Sequence, residues 1–390
     1  MKDTFVSDSI VYVGCDDKDI DLFESQYVVP NGVSYNSYVI LDEKTAIMDT
    51  VDPRATVEWL DKVEKALDGR EPDYLVIDHM EPDHAGSIAA VAEKYPQMKL
   101  VSNSKVFAML PQFFAFDLTD RTITVKEGDT LSLGAHTLHF VMAPMVHWPE
   151  VMVTYESSEK ILFSADGFGK FGALDAEEEW ADEARRYFIN IVGKYGPQVQ
   201  ALLKKASTLD IRTICPLHGP ILKEDLGYYI GKYLTWSSYE PEEKGVVVAC
   251  ASIHGNTKRA MKRFVEILKE KGEENVVFFD LARDDMAEAV ASAYRYDRLV
   301  LACATYDASL FPCMEDFLYH LKIKNFQNRT VGIVENGSWA PMAGKLMRAY
   351  ADGMKNLRVV EPVMTIKSTM SAQNEEELGA LADALLARAE

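Results

Sequence analysis

The sequence predicts an α+β sandwich, with helices outside two mostly antiparallel sheets, followed by an α/β doubly wound parallel sheet. Two observations support this prediction. The chain has 390 residues, which exceeds one ordinary hydrophobic core and favours two or three domains. Near residue 240 the pattern changes from short strand pairs mixed with helices to a regular alternation of apolar strands and helices. We therefore predict two domains, at residues 1–243 and 244–390.

The first domain is predicted from short strands joined by polar turns such as Asp42-Glu43-Lys44. Seven runs of apolar or alternating residues predict strands at 38–41, 45–49, 122–126, 130–133, 137–142, 151–155 and 161–164. Apolar residues at helical spacing predict helices at 54–67, 87–94 and, longest of all, 177–206. Strand pairs mixed with helices are typical of an α+β sandwich.

The second domain follows a polar segment at 237–245 that contains proline and glycine and predicts a linker. After it, five apolar runs predict buried strands at 246–250, 276–280, 299–303, 330–334 and 359–364. Helical patterns predict helices at 258–271, 314–321, 341–357 and 375–389. Continuously apolar strands separated by helices are typical of a doubly wound parallel sheet.

Charge and cysteine content exclude several classes of protein. Asp and Glu number 61 against 41 Lys and Arg, and the resulting net charge of -20 argues against nucleic acid or an anionic membrane as partner. No apolar run is long enough to span a membrane, and the opening MKDTFVSDSI has no apolar core of a secretory signal. The five cysteines form no CxxC pair. We therefore expect a cytoplasmic protein without a disulfide framework or a rubredoxin-type iron site.

Three loops of the second domain follow predicted strands, at the sheet edge where doubly wound folds bind ligands. The first opens a helix with small and polar residues that suit a phosphate, although such a turn can equally be a simple helix cap. Each of the other two offers an aromatic ring that either stacks on a planar ligand or merely covers the end of the sheet. The candidate binding residues are Ser252, His254, Gly255, Asn256, Thr257, Ala304, Thr305, Tyr306, Asp307, Asn336, Gly337, Ser338 and Trp339.

Metal-ligand residue types cluster in the first domain. Two histidines and two carboxylates follow the apolar run at 74–77. Two more candidates each follow a predicted strand, and one follows a short apolar run. The seven are His79, Glu81, Asp83, His84, His147, Asp166 and His218. Seven nitrogen and oxygen ligands suffice for two metal ions that share a carboxylate. The remaining histidines lack such neighbours and are left out of this site: His136, His139, His254 and His320.

The order and spacing of these ligands resemble the metallo-β-lactamase fold, whose hydrolases carry His-x-His-x-Asp-His and generally hold zinc. Here Glu81 stands where the second histidine would be, and an added anionic oxygen ligand favours iron. The three loops of the second domain resemble those with which flavodoxins bind FMN. Taken together, the chain resembles the flavodiiron proteins, or A-type flavoproteins. That resemblance implies a metallo-β-lactamase-like diiron domain followed by a flavodoxin-like FMN domain.

The resemblance also implies roles. One iron would be held by His79, Glu81 and His147, the other by Asp83, His84 and His218, with Asp166 as the bridge and no catalytic residue beyond these ligands. The implied reaction is reduction of O2 to water, of NO to N2O, or of both. Electrons would pass through FMN from an external donor, such as a rubredoxin or a reduced deazaflavin. A head-to-tail homodimer, or a dimer of dimers, would bring the flavin of one subunit to the irons of the other.

Two other functions are compatible with parts of the sequence. The first is a dizinc hydrolase of metallo-β-lactamase type with a flavodoxin appendage, against which Glu81 and the FMN-type loops both count. The second is an electron carrier whose first domain only docks partners, against which the complete set of seven ligands counts. The choice between O2 and NO and the identity of the electron donor stay open at the level of sequence.

Overall fold

The computed structural model describes residues 5–115 and 119–387, and the chain divides into two compact units. The first unit comprises Met1–Phe188 and Pro197–Leu234. The second comprises Ile189–Gly196 and Thr235–Glu390, so it takes one short segment from within the first half of the chain. The domain boundary between residues 243 and 244 stays a prediction from the sequence pattern.

Two sheets with mixed strand directions form the first unit. The six-stranded sheet has the order Ile10–Tyr12, Tyr38–Ile40, Ala46–Met48, Tyr74–Val76, Lys99–Ser102 and Thr122–Thr124. Its first two pairings are antiparallel and the other three are parallel. The five-stranded sheet has the order Thr130–Ser132, Thr137–Met142, Met152–Glu156, Ile161–Phe163 and Thr213–Cys215, and all its pairings but the last are antiparallel. The expectation of mostly antiparallel sheets is therefore wrong for the first sheet, because helices cross over between its later strands.

Small ribbons and helices complete the first unit. Cys15–Asp17 pairs with Val33–Tyr35, and Leu22–Phe23 pairs with Tyr27–Val28. The α-helices of this half of the chain are Thr56–Leu67, Pro82–Ala85, Ile88–Lys94, Ser104–Phe113, Trp180–Tyr187, Gly196–Ala206 and Leu226–Ser237, with 3-10 turns at Pro53–Ala55 and Thr119–Arg121. Across residues 5–115 and 119–387, no helix combines the length and the apolar character that a membrane crossing requires.

The core of the first unit lies between the two sheets. Alternate residues of the strands point inward from both sides, as the two-residue period of a strand requires. The first sheet contributes Tyr38, Met48, Val76 and Val101, and the second contributes Leu138, Phe140, Met152, Phe163 and Cys215. The ends of the strands that carry the candidate metal ligands are therefore fixed by a shared apolar layer.

The long helix predicted at 177–206 is wrong. The structure has the helix Trp180–Tyr187, a π-helical turn at Phe188–Val192, a 3-10 turn at Gly193–Tyr195 and a new helix at Gly196–Ala206. Glycine weakens a helix, and Pro197 lacks the N–H that a continuous helix would use. The Gly196 N–H is donated instead to the Tyr239 hydroxyl at 3.1 Å.

The second unit contains a parallel sheet flanked by helices. The strand order is Val276–Asp280, Glu243–Ala251, Tyr296–Tyr306 and Thr330–Asn336, with Arg358–Val359 and Met364–Ile366 both paired to the last. A two-residue strand, Ser309–Leu310, runs antiparallel to the end of Tyr296–Tyr306. The helices are Asn256–Glu270, Met286–Arg295, Pro312–Ile323, Ala343–Asp352 and Ala372–Leu386. This is the doubly wound architecture that the sequence predicts.

Two details of this unit differ from the sequence prediction. The helix Met286–Arg295 was missed, although Asp285 caps its start by accepting the Glu288 N–H at 2.8 Å. The strand predicted at 359–364 is split in two, because Pro362 has no N–H to donate to the neighbouring strand.

The segment predicted as a linker is anchored within the second unit. Arg329 is buried and donates hydrogen bonds to the backbone carbonyls of Tyr239 and Tyr296 at 2.8 and 2.7 Å, as well as to that of Tyr294. Burial lowers the pKa of Arg329 to about 10. One guanidinium thus ties the linker to two later points of the chain.

His136 joins two carboxylates from different parts of the first unit. Its Nδ1 lies 2.8 Å from Asp42 Oδ2, and its Nε2 lies 3.0 Å from Glu159 Oε1. Burial alone would lower the pKa of His136, but the two carboxylates outweigh it and raise that pKa. The same contacts overcome the effect of burial on Asp42 and lower its pKa to about 2.

We expect this histidine to stabilise the first unit more in acid than in base. Because the folded state raises the pKa of His136, its contribution is complete below the unfolded value near 6.5 and is lost as the pH rises through the folded value. His136→Gln should therefore lower the calorimetric Tm of the first unit by about 2–4 °C more at pH 6 than at pH 9. His139→Gln is the matched control, because that ring contacts the Ser157 hydroxyl at 3.1 Å. An equal loss at both pH values would contradict the expectation.

Candidate metal centre and cofactor cleft

The seven predicted metal ligands converge at one place in the first unit. Three of them follow the carboxyl end of a strand: His79 follows Tyr74–Val76, Asp166 follows Ile161–Phe163, and His218 follows Thr213–Cys215. Glu81 directly precedes a short helix, Pro82–Ala85, that contains Asp83 and His84. His147 lies in the loop after the strand Thr137–Met142. Six of the seven residues are buried, and Glu81 is nearly so.

Four of these residues form a first group around one point. The His147 Nε2 lies 2.9 Å from Glu81 Oε2, and the His79 Nε2 lies 3.3 Å from the same oxygen. Both imidazole nitrogens lie 3.2 Å from Asp166 Oδ2. The ligand atoms of all four residues lie within 4.8 Å of one another.

A second group consists of Asp83, His84 and His218. Both imidazole Nε2 atoms lie 3.2 Å from Asp83 Oδ2 and 3.1 Å from each other. Nε2 atoms that face one another around a common carboxylate are arranged as they would be around a cation.

Asp166 belongs to both groups through different oxygens. Its Oδ2 faces the first group, and its Oδ1 lies 3.2 Å from His84 Nε2 and 3.8 Å from His218 Nε2. One carboxylate therefore lies between two clusters of ligand atoms. This is the geometry of a residue that bridges two metal ions.

Electrostatics make the cluster suited to positive charge. Burial would lower the pKa of His147, but Asp166 and Glu81 outweigh burial and raise it to about 9. In the same way, Asp166 raises the pKa of His79, and Asp83 and Asp166 raise that of His84. Burial opposes the ionised form of Asp166, yet the histidines hold its pKa well below the usual range. The negative charge of the carboxylates therefore favours either protonated imidazole rings or metal cations that replace those protons.

The residues fit two divalent metal ions. Both oxygens of Asp83 and both oxygens of Asp166 are buried and have no hydrogen-bond partner within residues 5–115 and 119–387. Buried carboxylate oxygens without hydrogen bonds are costly unless a cation neutralises them. Four imidazoles and three carboxylates are ligand types that bind first-row transition metals.

Contacts behind the ligands orient the imidazole rings. The His218 Nδ1–H is donated to the Ser34 carbonyl at 2.7 Å, which leaves its Nε2 free for a metal. The His79 Nδ1 lies 2.9 Å from Glu150 Oε1, which also accepts the Met80 N–H at 3.0 Å. Burial would raise the pKa of Glu150, but the hydrogen bond with His79 outweighs it and lowers that pKa. Sequence reasoning missed these partners, because only the fold brings Ser34 and Glu150 to the rings.

The second unit has a cleft of about 400 Å³ at the carboxyl edge of its sheet. Eleven of the thirteen predicted cofactor residues line it: Ser252, His254, Asn256, Thr257, Ala304, Thr305, Asp307, Asn336, Gly337, Ser338 and Trp339. Gly255 and Tyr306 do not line it, and the Tyr306 ring packs on Phe311 with ring centres 5.7 Å apart. The lining residues that the sequence reasoning missed are Ile253, Ala308, Ala340 and Ser368.

Hydrogen bonds shape the first loop of this cleft. The Ser252 hydroxyl accepts the N–H groups of Gly255 and Lys258 at 3.1 and 3.2 Å. Gly255 has a φ of 87°, which favours glycine, and the helix begins at Asn256. The N–H groups of a helix's first turn lack intrahelical partners and suit an anion, and Asn256 and Thr257 supply two of them here.

The other two loops of the cleft are also fixed. The Thr305 hydroxyl accepts the N–H groups of Met342 and Ala343 at 2.9 and 3.1 Å. The Asn336 amide donates to the Ser368 carbonyl and accepts the Ser368 N–H, both at 3.0 Å. Trp339 is 84% exposed, so its ring is available to stack on a planar ligand.

Comparison with known proteins places this geometry in a family. A protein-family model described as ODP family beta lactamase matches residues 33–219. An uncharacterised protein of Methanocaldococcus jannaschii is 31% identical over 323 residues, and the match covers 81% of each chain. The solved flavodiiron protein of Giardia intestinalis is 26% identical with a TM-score of 0.91, covering 98% of this chain and 96% of that chain. The chain belongs to the flavodiiron protein family.

Two further relatives carry names that describe activities. The structure of rubredoxin oxygen:oxidoreductase from Desulfovibrio gigas matches this flavodiiron protein with a TM-score of 0.91 at 26% identity, covering 98% of this chain and 97% of that chain. The nitric oxide reductase of Moorella thermoacetica is 28% identical over 375 residues, which is 93% of this chain and 92% of the relative. The family and the fold class predicted from the sequence are confirmed.

Removing the shared carboxylate should affect both halves of the metal centre. Asp166→Ala is expected to lower bound iron to fewer than about one ion per chain, whereas His218→Ala should leave about one, because His218 serves one group only. Metal content after anaerobic Fe(II) loading, measured by mass spectrometry, checks this. Glu156→Gln is the control, since that buried carboxylate accepts the N–H groups of Ser158 and Glu159 at 2.8 and 2.7 Å. An Asp166→Ala variant that keeps about two ions would contradict the assignment.

Proposed function

We propose that this flavodiiron protein is an oxidoreductase that reduces O2 to water, NO to N2O, or both, at a diiron site. Electrons reach that site through FMN from an external donor such as a rubredoxin. The observation that carries the proposal is Asp166, whose two oxygens face separate groups of ligand atoms. Relatives named nitric oxide reductase and rubredoxin oxygen:oxidoreductase support both gases as substrates.

The two groups of side chains divide the metals between them. His79, Glu81 and His147 would hold one iron, Asp83, His84 and His218 would hold the other, and Asp166 would be shared between them. When bound, two irons and FMN supply sites for a diatomic gas and a route for electrons to it. Three carboxylates offset much of the positive charge of two divalent ions.

Glu81 distinguishes this site from that of a dizinc hydrolase. In hydrolases of the metallo-β-lactamase fold, a histidine occupies the position of Glu81. Here a carboxylate oxygen of Glu81 lies 2.9 Å from His147 Nε2. Anionic oxygen donors favour iron over zinc more than imidazole does. The ligand set therefore supports redox chemistry, and the hydrolase alternative is not favoured.

A cleft of about 420 Å³ leads to the ligands within the first unit. The ligands Glu81 and Asp83 line it, and Asp21, Glu24 and Asp52 add polar groups to its wall. Arg54 holds part of that wall through Asp17 and Asp52, at 3.0 and 2.9 Å. Such polar groups suit the delivery of the protons that reduction of O2 or NO consumes.

The cleft of the second unit holds the flavin in this proposal. Asn256 and Thr257 would bind its phosphate through the N–H groups of the helix N-terminus and the Thr257 hydroxyl, and Trp339 would stack on its ring. The donor and the assembly follow from the family resemblance: a rubredoxin-like or other external donor, and a homodimer or a dimer of dimers.

The proposal is tested by composition and turnover together. Anaerobically prepared protein should contain about two irons and about one FMN per chain, and should consume O2 or NO when supplied with reduced rubredoxin. Asp166→Ala should retain FMN but lose more than about 100-fold in gas consumption, because neither metal position is complete. Full turnover by that variant would contradict the proposal. Two zinc ions, with no gas consumption after iron reconstitution, would favour the hydrolase.

A variant of the cofactor cleft tests the flavin assignment separately. Thr257→Val keeps the shape of the side chain but removes its hydroxyl, and should raise the Kd for FMN by about tenfold, the effect of losing one hydrogen bond to a charged group. The iron content should stay unchanged. Thr330→Val is the control, because Thr330 begins the strand whose far end borders the cleft. Equal FMN affinity in the two variants would exclude the assignment of Thr257.

A further inference from the structure

The two metal positions have matching ligand sets. Each has two imidazole nitrogens and one carboxylate of its own, and each faces one oxygen of Asp166. By ligand type alone, the two positions have the same formal charge and the same preference for a cation. A difference between them must come from the groups behind the ligands.

The ligand rings differ in the partners of their Nδ1 atoms. In the first group, His79 Nδ1 lies 2.9 Å from a carboxylate oxygen of Glu150. In the second group, the His218 ring meets the neutral carbonyl of Ser34, and His84 Nδ1 has no hydrogen-bond partner in the described part of the chain. A carboxylate therefore supports a ring of the first position, while neither ring of the second position has this support.

Glu150 is held firmly in place. Its side chain is completely buried, and its Oε1 accepts the Met80 N–H at 3.0 Å as well as contacting His79. The Asn103 side-chain amide donates to the Glu150 carbonyl at 2.6 Å. Both its carboxylate and its backbone are therefore fixed by neighbours in the fold.

Other buried carboxyl groups near His79 have different partners. Asp49 Oδ1 accepts the backbone N–H groups of Asp78 and His79 at 2.8 and 3.3 Å. Asp78 Oδ1 accepts the Thr154 hydroxyl at 2.7 Å. These contacts position the backbone and the strand, whereas Glu150 contacts the imidazole itself.

We infer that Glu150 is a positioning residue that holds the His79 Nε2 toward the ligand cluster and makes the first position the tighter of the two cation sites. A carboxylate behind a metal-bound imidazole fixes its tautomer and raises its basicity, and loss of such a partner typically costs about 10–100-fold in metal affinity. The inference rests on the proposed two-metal site.

Stepwise anaerobic titration of the metal-free, full-length protein with Fe(II) tests it. Wild type should bind in two resolved steps, and the step that survives in His218→Ala identifies the first position. Glu150→Gln keeps an acceptor for the ring but removes the charge, and should weaken that step by about 10-fold; Glu150→Ala should weaken it by up to about 100-fold. The other step should be unchanged, and Glu156→Gln should titrate as wild type.

Three results distinguish failure of the inference about Glu150 from failure of the proposed function. Equal weakening of both steps in Glu150→Gln would indicate a general loss of structure and would overturn the inference. A Glu150→Gln variant that titrates as wild type would also overturn it, while leaving the two-metal site intact. Wild type that binds fewer than two Fe(II) ions would instead contradict the proposed function. Circular dichroism verifies folding, and Glu150→Gln suffices alone if Glu150→Ala does not fold.

Discussion

The shared carboxylate of Asp166 is the constraint on which the first unit depends. Its oxygens serve separate groups of ligands, so strands from both sheets must end at the same level. His79 follows a strand of one sheet and Asp166 a strand of the other, yet their ligand atoms lie 3.2 Å apart. The apolar layer that includes Val76 and Phe163 fixes this alignment. The core therefore positions a polar site as well as stabilising the fold.

The same site is costly without a cation. Buried carboxylate oxygens of Asp83 and Asp166 lack hydrogen bonds in the described part of the chain, and a buried polar group without a partner destabilises the folded state. Natural proteins leave buried polar groups without hydrogen bonds mainly at functional sites, where the packing around the site offsets the loss of stability. Burial of polar groups costs less at the cofactor cleft, because backbone N–H groups there donate hydrogen bonds to side-chain hydroxyls.

Much of the site was predictable because its ligands follow strands. In the structure the strands before Asp166 and His218 run parallel, so their carboxyl ends lie at one edge of the sheet. What the sequence could not reveal depends on distant contacts: Glu150 reaches His79 across 71 positions, and Ser34 reaches His218 across 184. The sequence predicts one helix across Gly196 because apolar residues recur there at helical spacing. The structure shows that glycine and proline interrupt this helix in spite of the spacing. The helix Met286–Arg295 was missed although its cap at Asp285 is visible in the sequence.

The segment Ile189–Gly196 belongs to the second unit although the chain on both sides of it belongs to the first. Within the second unit, the Lys194 carbonyl accepts a hydrogen bond from the Asn325 amide at 2.8 Å, and the Gly196 N–H meets the Tyr239 hydroxyl at 3.1 Å. The halves are therefore not independent modules in the genetic sense. A gene that begins at the linker would encode the flavodoxin-like unit without its segment Ile189–Gly196. Recombination between relatives must therefore exchange two separate stretches of coding sequence to transfer the whole unit.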